Sequence, residues 1–477
     1  MATRENFQRA HMIRIPLHSF VRALLLAAVM VTGSARAAEN IRLACVGDSI
    51  TAGYTLRDKA RDAYPSQLSR LLGPDWTVRN FGVSGATLMP GGDLPYDRQP
   101  ALAAALAWKP EIVVIALGTN DSKEINIGRH PGDFEPGYHD LIAKFRQANP
   151  QAKIFVCLPP PAFADVMNIR ADILRNDIVP RIRKVAAEEK LPIIDLEQPL
   201  RSEAGHFPDK IHPDPEGAAK IARIVYGEVM RDTQPGAKSL DPAVNTALLP
   251  VPVVERNSYN WWTRHAEALD AGPRIQPDIV LLGDSITHFW GGEPRAGSAN
   301  GPLAWKNTFD TRPVLNLGFG WDRTQNLLWR IDHGELDGLR PKLVILNIGT
   351  NNLSATNNAR ANTPQEIVEA IAVIRERVRQ KCPGAHLIVM GVFPRGPQPN
   401  NPFRAPIAAI NALLAKRLAG LPDTTFLDIG SRFLAPDGSL PHDKMPDGTH
   451  PSEAGYAIWG RALTESGLIP PPLPANR

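Results

Sequence analysis

The sequence predicts two consecutive three-layer α/β domains, each built on a parallel sheet. Three observations predict this. Short, near-continuous apolar runs alternate with amphipathic stretches along the chain. The order of these runs occurs twice. The same five letters, Gly-Asp-Ser-Ile-Thr, follow the first run of each series, in "RLACVGDSITAGY" from Arg42 and "VLLGDSITHFW" from Val280.

In the first half "IRLACVG", "TVRNFG", "EIVVIALG", "AKIFVCLP" and "LPIIDL" read as strands. Consecutive apolar positions suit strands covered on both faces, and parallel sheets need a helix at each crossover. The stretches "YPSQLSRLL", "ALAAALAW" and "HDLIAKFRQA" supply those helices. In the second half "PDIVLLG", "PVLNLGFG", "KLVILNIG", "HLIVMGVFP" and "TTFLDIG" repeat the order. The 477 residues exceed one typical core, in keeping with two domains. They divide into 38–232 and 258–477. The Pro-, Gly- and polar-rich stretch 233–257, with no clear period, reads as a linker. After it, "SYNWWTRHAEAL" is predicted to be a helix, with Trp261, Trp262 and His265 packed on the second domain.

Composition narrows the function classes. A hydrophobic share of 43% with 21% charged residues is that of a soluble globular protein. A net charge of +4 with no Lys/Arg block argues against a nucleic-acid partner. At the N-terminus Arg4, Arg9, Arg14 and Arg22 precede "ALLLAAVMVTG", and Ala35 and Ala37 form a small-residue cleavage pattern. This predicts a signal peptide over 1–37 and a periplasmic or secreted protein without stable membrane insertion. The apolar run is shorter than the ~20 residues of a spanning helix, which disfavours a retained anchor. Three cysteines are too few for a disulfide framework. Cys45, Cys157 and Cys382 are expected to be buried thiols, with a Cys45–Cys157 bridge left open should their strands be neighbours.

Further blocks follow each Gly-Asp-Ser-Ile-Thr at matching distances. "ALGTND" carries Asn120 and "NIGTNN" carries Asn351; "DKIHP" carries Asp209 and His212, and "DGTHP" carries Asp447 and His450. Ser49 and His212 are 163 positions apart, Ser285 and His450 165, and the two serines 236. A duplication explains these spacings. An apolar strand running into Gly-Asp-Ser puts the serine at the carboxyl end of a parallel strand, where open α/β sheets bind ligands. A serine hydroxyl is a weak nucleophile and needs a base. His212 and His450 are the candidates, each held before a helix capped by Asp214 or Ser452. Asp209 and Asp447, three residues earlier, lie close enough to orient the imidazole and stabilise its charged form. The serine N–H and the amide of Asn120 or Asn351 can meet a developing oxyanion, and "NFGVSGATL" offers the N–H of Gly85. Asp48 and Asp284 are expected to hydrogen-bond within their turns. A metal site on Asp209 and His212 has no further ligand spacing to complete it. In the insertion "HFWGGEPRAGSANGPLAW", Phe289, Trp290 and Trp305 either meet a substrate or cover the sheet edge.

In this order, GDS, glycine loop, GTN[DN] and DxxH, the chain resembles the SGNH (GDSL-type) hydrolase superfamily in both halves. The second half also resembles platelet-activating factor acetylhydrolase alpha subunits, through "NLGFGWDRTQNLLWRI" and "VFPRG", and bacterial carbohydrate acetylesterases. The resemblance implies a flavodoxin-like fold, ester or thioester hydrolysis, and no metal or other cofactor. It assigns Ser49, Asp209 and His212, and Ser285, Asp447 and His450, to catalysis, and Gly85, Asn120 and Asn351 to the oxyanion hole. Lining up "NFGVSGA" with "NLGFGWD" puts Trp321 opposite Gly85; a one-residue shift recruits Gly320 instead. The implied substrate is a small-molecule or glycan ester, above all an O-acetyl group on a carbohydrate. The alternatives are a lysophospholipase or thioesterase acting on longer acyl chains, or one half serving as a carbohydrate-binding module.

Overall fold

A computed structural model describes residues 40–234 and 236–469; the predicted signal peptide lies outside them. Two five-stranded, wholly parallel sheets are formed. The first contains β1 (Ile41–Gly47), β2 (Trp76–Gly82), β3 (Ile112–Ala116), β4 (Lys153–Leu158) and β5 (Ile193–Asp195), in the order β2-β1-β3-β4-β5. The second contains β6 (Ile279–Gly283), β7 (Val314–Gly318), β8 (Leu343–Asn347), β9 (His386–Met390) and β10 (Thr424–Leu427), in the equivalent order β7-β6-β8-β9-β10. Helices cover both faces of each sheet, so the predicted three-layer architecture holds in both halves. The central strands are buried on both faces along nearly their whole length, which is why they read as continuous apolar runs rather than as alternation.

The strand order fixes where chemistry can occur. β1 lies between β2 and β3, and β6 between β7 and β8. The loops that leave the carboxyl ends of three adjacent strands therefore meet at one edge, at the point where the winding reverses. Cys45 on β1 pairs with Val114 on β3, which in turn faces Phe155 on β4, so a strand separates Cys45 from Cys157. All three cysteines are buried and free. Burial pushes the Cys45 thiol up to about 12 and the Cys382 thiol up to about 11, which makes them inert packing groups.

The two halves are joined by packing as well as by chain. The helix Pro215–Thr233 lies against Trp261–Ile275, and one apolar cluster runs from Val225, Tyr226 and Val229 into Trp261, Trp262 and Ala266. Gly227 permits the close approach: a Cβ there would overlap the side chain of Thr263. Arg223 and Asp270 add an ion pair of 3.3 Å across the junction.

The stretch read as a linker is docked on the second half. Ser239 N–H donates to Asn358 O (2.7 Å) and Ser239 O accepts from Arg360 N–H (3.0 Å). Thr246 and Ala247 are buried, and Ala247 O accepts from Thr324 Oγ1. Asn326 Nδ2 donates to Pro252 O at 2.7 Å. The segment has no period because it is a strap, held through its backbone groups by backbone and side-chain groups of the second half. In the insertion, Trp290 stacks on Trp459 (4.4 Å between ring centroids) and meets Trp305 edge-on, so both tryptophans cover the core. Phe289 alone turns to the site described next. Among the described residues, no helix is long and apolar enough to cross a membrane.

Candidate active site

Each Gly-Asp-Ser-Ile-Thr segment is a strand-to-helix turn. Ser49–Ala52 and Ser285–His288 are single-turn helices, and the preceding aspartates cap them: Asp48 Oδ1 accepts from Ile50 N–H (2.9 Å) and Asp284 Oδ1 from Ile286 N–H (3.0 Å). The motif's glycine is required because Thr51 and Thr287 fold back over it; a Cβ at Gly47 or Gly283 would overlap the threonine and the carbonyl of the adjoining strand. Burial raises the carboxyl of Asp284 to about 7 and also raises that of Asp48. Both serve the turn, as expected.

The serines so placed meet their histidines across the fold. Ser49 Oγ lies 2.8 Å from His212 Nε2, and His212 Nδ1 lies 2.7 Å from Asp209 Oδ2. Asp209 Oδ1 accepts from the N–H groups of Ile211 (3.0 Å) and His212 (2.7 Å), which locks the carboxylate beneath the ring. In the second half Ser285 Oγ lies 2.8 Å from His450 Nε2, and His450 Nδ1 lies 2.5 Å from Asp447 Oδ2. Asp447 Oδ1 accepts from Thr449 and His450 N–H. Burial alone would raise both aspartates, but the donors of their own turn and the imidazole outweigh it and hold them below the usual carboxylate range.

The loops after β2 and β3 close the site. Asn120 Nδ2 donates to Ala86 O at 3.1 Å, and Asn351 Nδ2 to Asp322 O at 3.0 Å. Each of these amides retains a second N–H. Among the described residues no partner takes the N–H of Ser49, Gly85, Ser285 or Trp321. The structure decides the register left open above. Val83 N–H donates to Gly47 O and Phe319 N–H to Gly283 O, while Ala86 and Asp322 close identical turns onto Val83 and Phe319. Trp321 therefore occupies the place of Gly85, and both have positive φ, +63° and +84°. Gly320 is excluded as the donor, because its N–H is taken by His288 Nδ1 at 3.2 Å. Left-handed backbone costs a tryptophan about 1–2 kcal/mol. The residue is 47% exposed, so core packing does not explain why it is there.

The two sites differ in surroundings. The His212 side chain is 4% exposed and that of His450 28%; for Asp209 and Asp447 the figures are 26% and 56%. The second triad is thus the more open. Its β7 loop is also held differently, by groups that sequence reasoning did not single out. Buried Arg330 pairs with Asp322 (2.8 Å) and with Glu335, and lies 3.9 Å over the Phe319 ring. Trp261 Nε1 donates to Asp322 at 2.8 Å, and His265 holds Glu335 at 2.8 Å. In the first half Ala86 stands where Asp322 does. Asp121 does the holding there, accepting from Leu88 and Met89 N–H. Arg395, in "VFPRG", bonds Thr350 O, one residue before Asn351. No local pattern marks a buried arginine as a loop anchor, although "WDRTQNLLWRI" contained two of its members.

The profile of the GDSL-like Lipase/Acylhydrolase family matches this chain twice, over 45–220 and 281–458. An acetylxylan esterase of Xylanibacter ruminicola is 37% identical over 209 residues, 40% of this chain and 43% of its own length, so the match spans less than half of that relative. Human platelet-activating factor acetylhydrolase IB subunit alpha1 is 33% identical over 220 residues, 46% of this chain and 88% of the relative. Among solved structures, a GDSL-like lipase from Bacteroides thetaiotaomicron is 20% identical, covers 42% of this chain and 94% of its own, and has a TM-score of 0.33. With two matches that together cover most of its length, this chain belongs to the GDSL-like lipase/acylhydrolase family, and with it to the carboxylic ester hydrolases.

Proposed function

We propose that each half is a serine esterase and that the substrates are O-acetyl groups on carbohydrates. The observation that carries the esterase reading is the unbroken serine–histidine–aspartate chain in both halves, 2.8 Å and 2.7 Å in the first and 2.8 Å and 2.5 Å in the second. In the first site Ser49 Oγ attacks the ester carbonyl as His212 Nε2 takes its proton, and Asp209 stabilises the imidazolium. The N–H groups of Ser49 and Gly85 and the amide of Asn120 receive the charge that develops on oxygen. The imidazolium then protonates the departing alkoxide, and a water activated by the same ring releases the acid. Ser285, His450, Asp447, Trp321 and Asn351 take these roles in the second site. The acetylxylan esterase likeness and the basic, apolar N-terminal stretch support an exported enzyme acting on glycans.

The carboxylates set an expectation for pH. Asp209 and Asp447 are held below the usual range, so they stay charged as pH falls, while a protonated imidazole cannot accept the serine proton. Activity of each site should therefore rise with pH along a limb of slope one in log kcat/KM. A slope of two would show that a carboxylate titrates with the ring.

A second reading, for the first site only, is hydrolysis of longer acyl chains. It is favoured by a pocket of about 370 Å³ beside His212, walled by Leu56, Pro208 and Pro215. The Ser285→Ala and Ser49→Ala chains, each with one working serine, separate the readings on acetylated xylan and on aryl esters of rising acyl length. Acetyl preference in both supports the proposal; preference for long chains in the Ser285→Ala chain supports the second reading. Within that series, Trp321→Gly in the Ser49→Ala chain should widen the accepted acyl range more than it changes the acetyl rate. An unchanged length profile would reject a steric role for the indole.

A further inference from the structure

Beside the second triad the two halves enclose a cleft of about 900 Å³. Arg183, Leu200 and Lys220 line it from the first half, and Glu267, Phe289 and Ser298 from the second. Phe289 ties it to the chemistry, since its ring centroid lies 5.4 Å from that of His450. On its other side Phe289 stacks on His288 at 5.2 Å, and His288 meets Tyr259 edge-on at 4.9 Å. Three rings thus run along the cleft wall to the catalytic imidazole. They also hold the loop of Trp321: His288 accepts from Gly320 N–H, and Tyr259 Oη donates to Gly320 O at 3.2 Å.

The lining selects a ligand class. Lys220 is steadied by Glu203 at 3.5 Å and Arg183 by Asp195 at 2.9 Å, leaving further donors on each. Glu267, half-buried, makes no hydrogen bond or ion pair among the described residues and offers two acceptor oxygens. Partly exposed rings beside donors and acceptors of both signs match a ring of CH groups edged by hydroxyls. An acyl tail would leave these charged groups dehydrated and unpaired. Acidic Asp195, Glu203, Glu228 and Glu267 lie among the lining's arginines and Lys220, so the cleft is not the one-signed surface that a polyanion would need.

We propose that this cleft binds the glycan chain whose ester Ser285 attacks, so that the first domain supplies binding residues to the second active site. The inference rests on the glycan-ester reading above. The second triad is the more exposed of the two, and Phe289 beside it lines the cleft, so a bulky alcohol portion can lie alongside.

The test uses the full chain. In the Ser49→Ala, Ser285→Ala form, calorimetric titration with xylohexaose, cellohexaose and chitohexaose should show binding of at least one. Lys220→Ala with Arg183→Ala should weaken it roughly tenfold, as expected for two lost hydrogen-bonding groups. Ser298→Trp, an exposed position at the cleft, should block it while leaving the circular dichroism spectrum unchanged. In the Ser49→Ala chain, both variants should raise KM for the acetylated form of the bound oligosaccharide several-fold more than KM for 4-nitrophenyl acetate. Binding of none of the three, or Kd and the KM ratio unmoved by both variants, overturns the cleft assignment. Hydrolysis of the aryl ester without oligosaccharide binding overturns the cleft alone. Binding that the variants weaken, in a chain whose Ser285 turns over no ester, upholds the cleft and overturns the esterase reading of the second site.

Discussion

Ser49→Ala together with Ser285→Ala is expected to remove nearly all ester hydrolysis, by roughly a millionfold in kcat, because nothing else in either site supplies a nucleophile. Each serine is a small, buried side chain whose one side-chain partner is the histidine, so the fold should persist. Either change alone should leave the turnover of the other half, since the triads share no residue. The comparison of single and double variants on one aryl acetate assigns the activity to the halves. If the double variant retains more than a small fraction of the rate, neither triad is the catalyst.

Arg330→Met should be the most damaging change away from the serines. Arg330, Asp322 and Glu335 are all buried, and the cost of burial is opposed by their mutual pairing together with Trp261 on Asp322 and His265 on Glu335; Glu335 and Asp322 hold the guanidinium above its ordinary value. Removing the cation strands two carboxylates, at a cost of about 3–5 kcal/mol. Asp322 is also the residue whose carbonyl accepts from Asn351, next to Trp321. A loosened loop should therefore lower kcat of the second site in the Ser49→Ala chain. The first site, whose loop is anchored by Asp121, should keep its rate in the Ser285→Ala chain at temperatures where the protein stays folded. Thermal unfolding and the two rates check this; equal losses at both sites would indicate global destabilisation instead.

Much of this molecule could be read in advance. The strands were legible because both faces of each sheet are covered, which writes them as apolar runs. The paired motifs were legible because Asp209 and His212, like Asp447 and His450, sit in one turn, where three residues of spacing already bring carboxylate and ring together. The strap was not. Residues 236–257 are held by Asn326, Thr324 and Arg360, remote in sequence, so their local composition resembles that of a free linker. Trp290 and Trp305 could not be told from Phe289 by type; what each ring packs against, core rings for the tryptophans and His450 for Phe289, separates them.

By itself the sequence determined the fold class, its occurrence in two halves and the aspartate–histidine turn of each, because these follow from periodicity and from short-range geometry. Tertiary structure alone decided the rest. Trp321 rather than Gly320 faces the site because the bonds of Phe319 and Asp322 set the register of the loop. One triad is closed and the other open because of what packs around them. The cleft exists because the helix Pro215–Thr233 meets Trp261–Ile275. Each of these depends on contacts between residues far apart in the chain, and such contacts leave no local period or spacing in a sequence to be read.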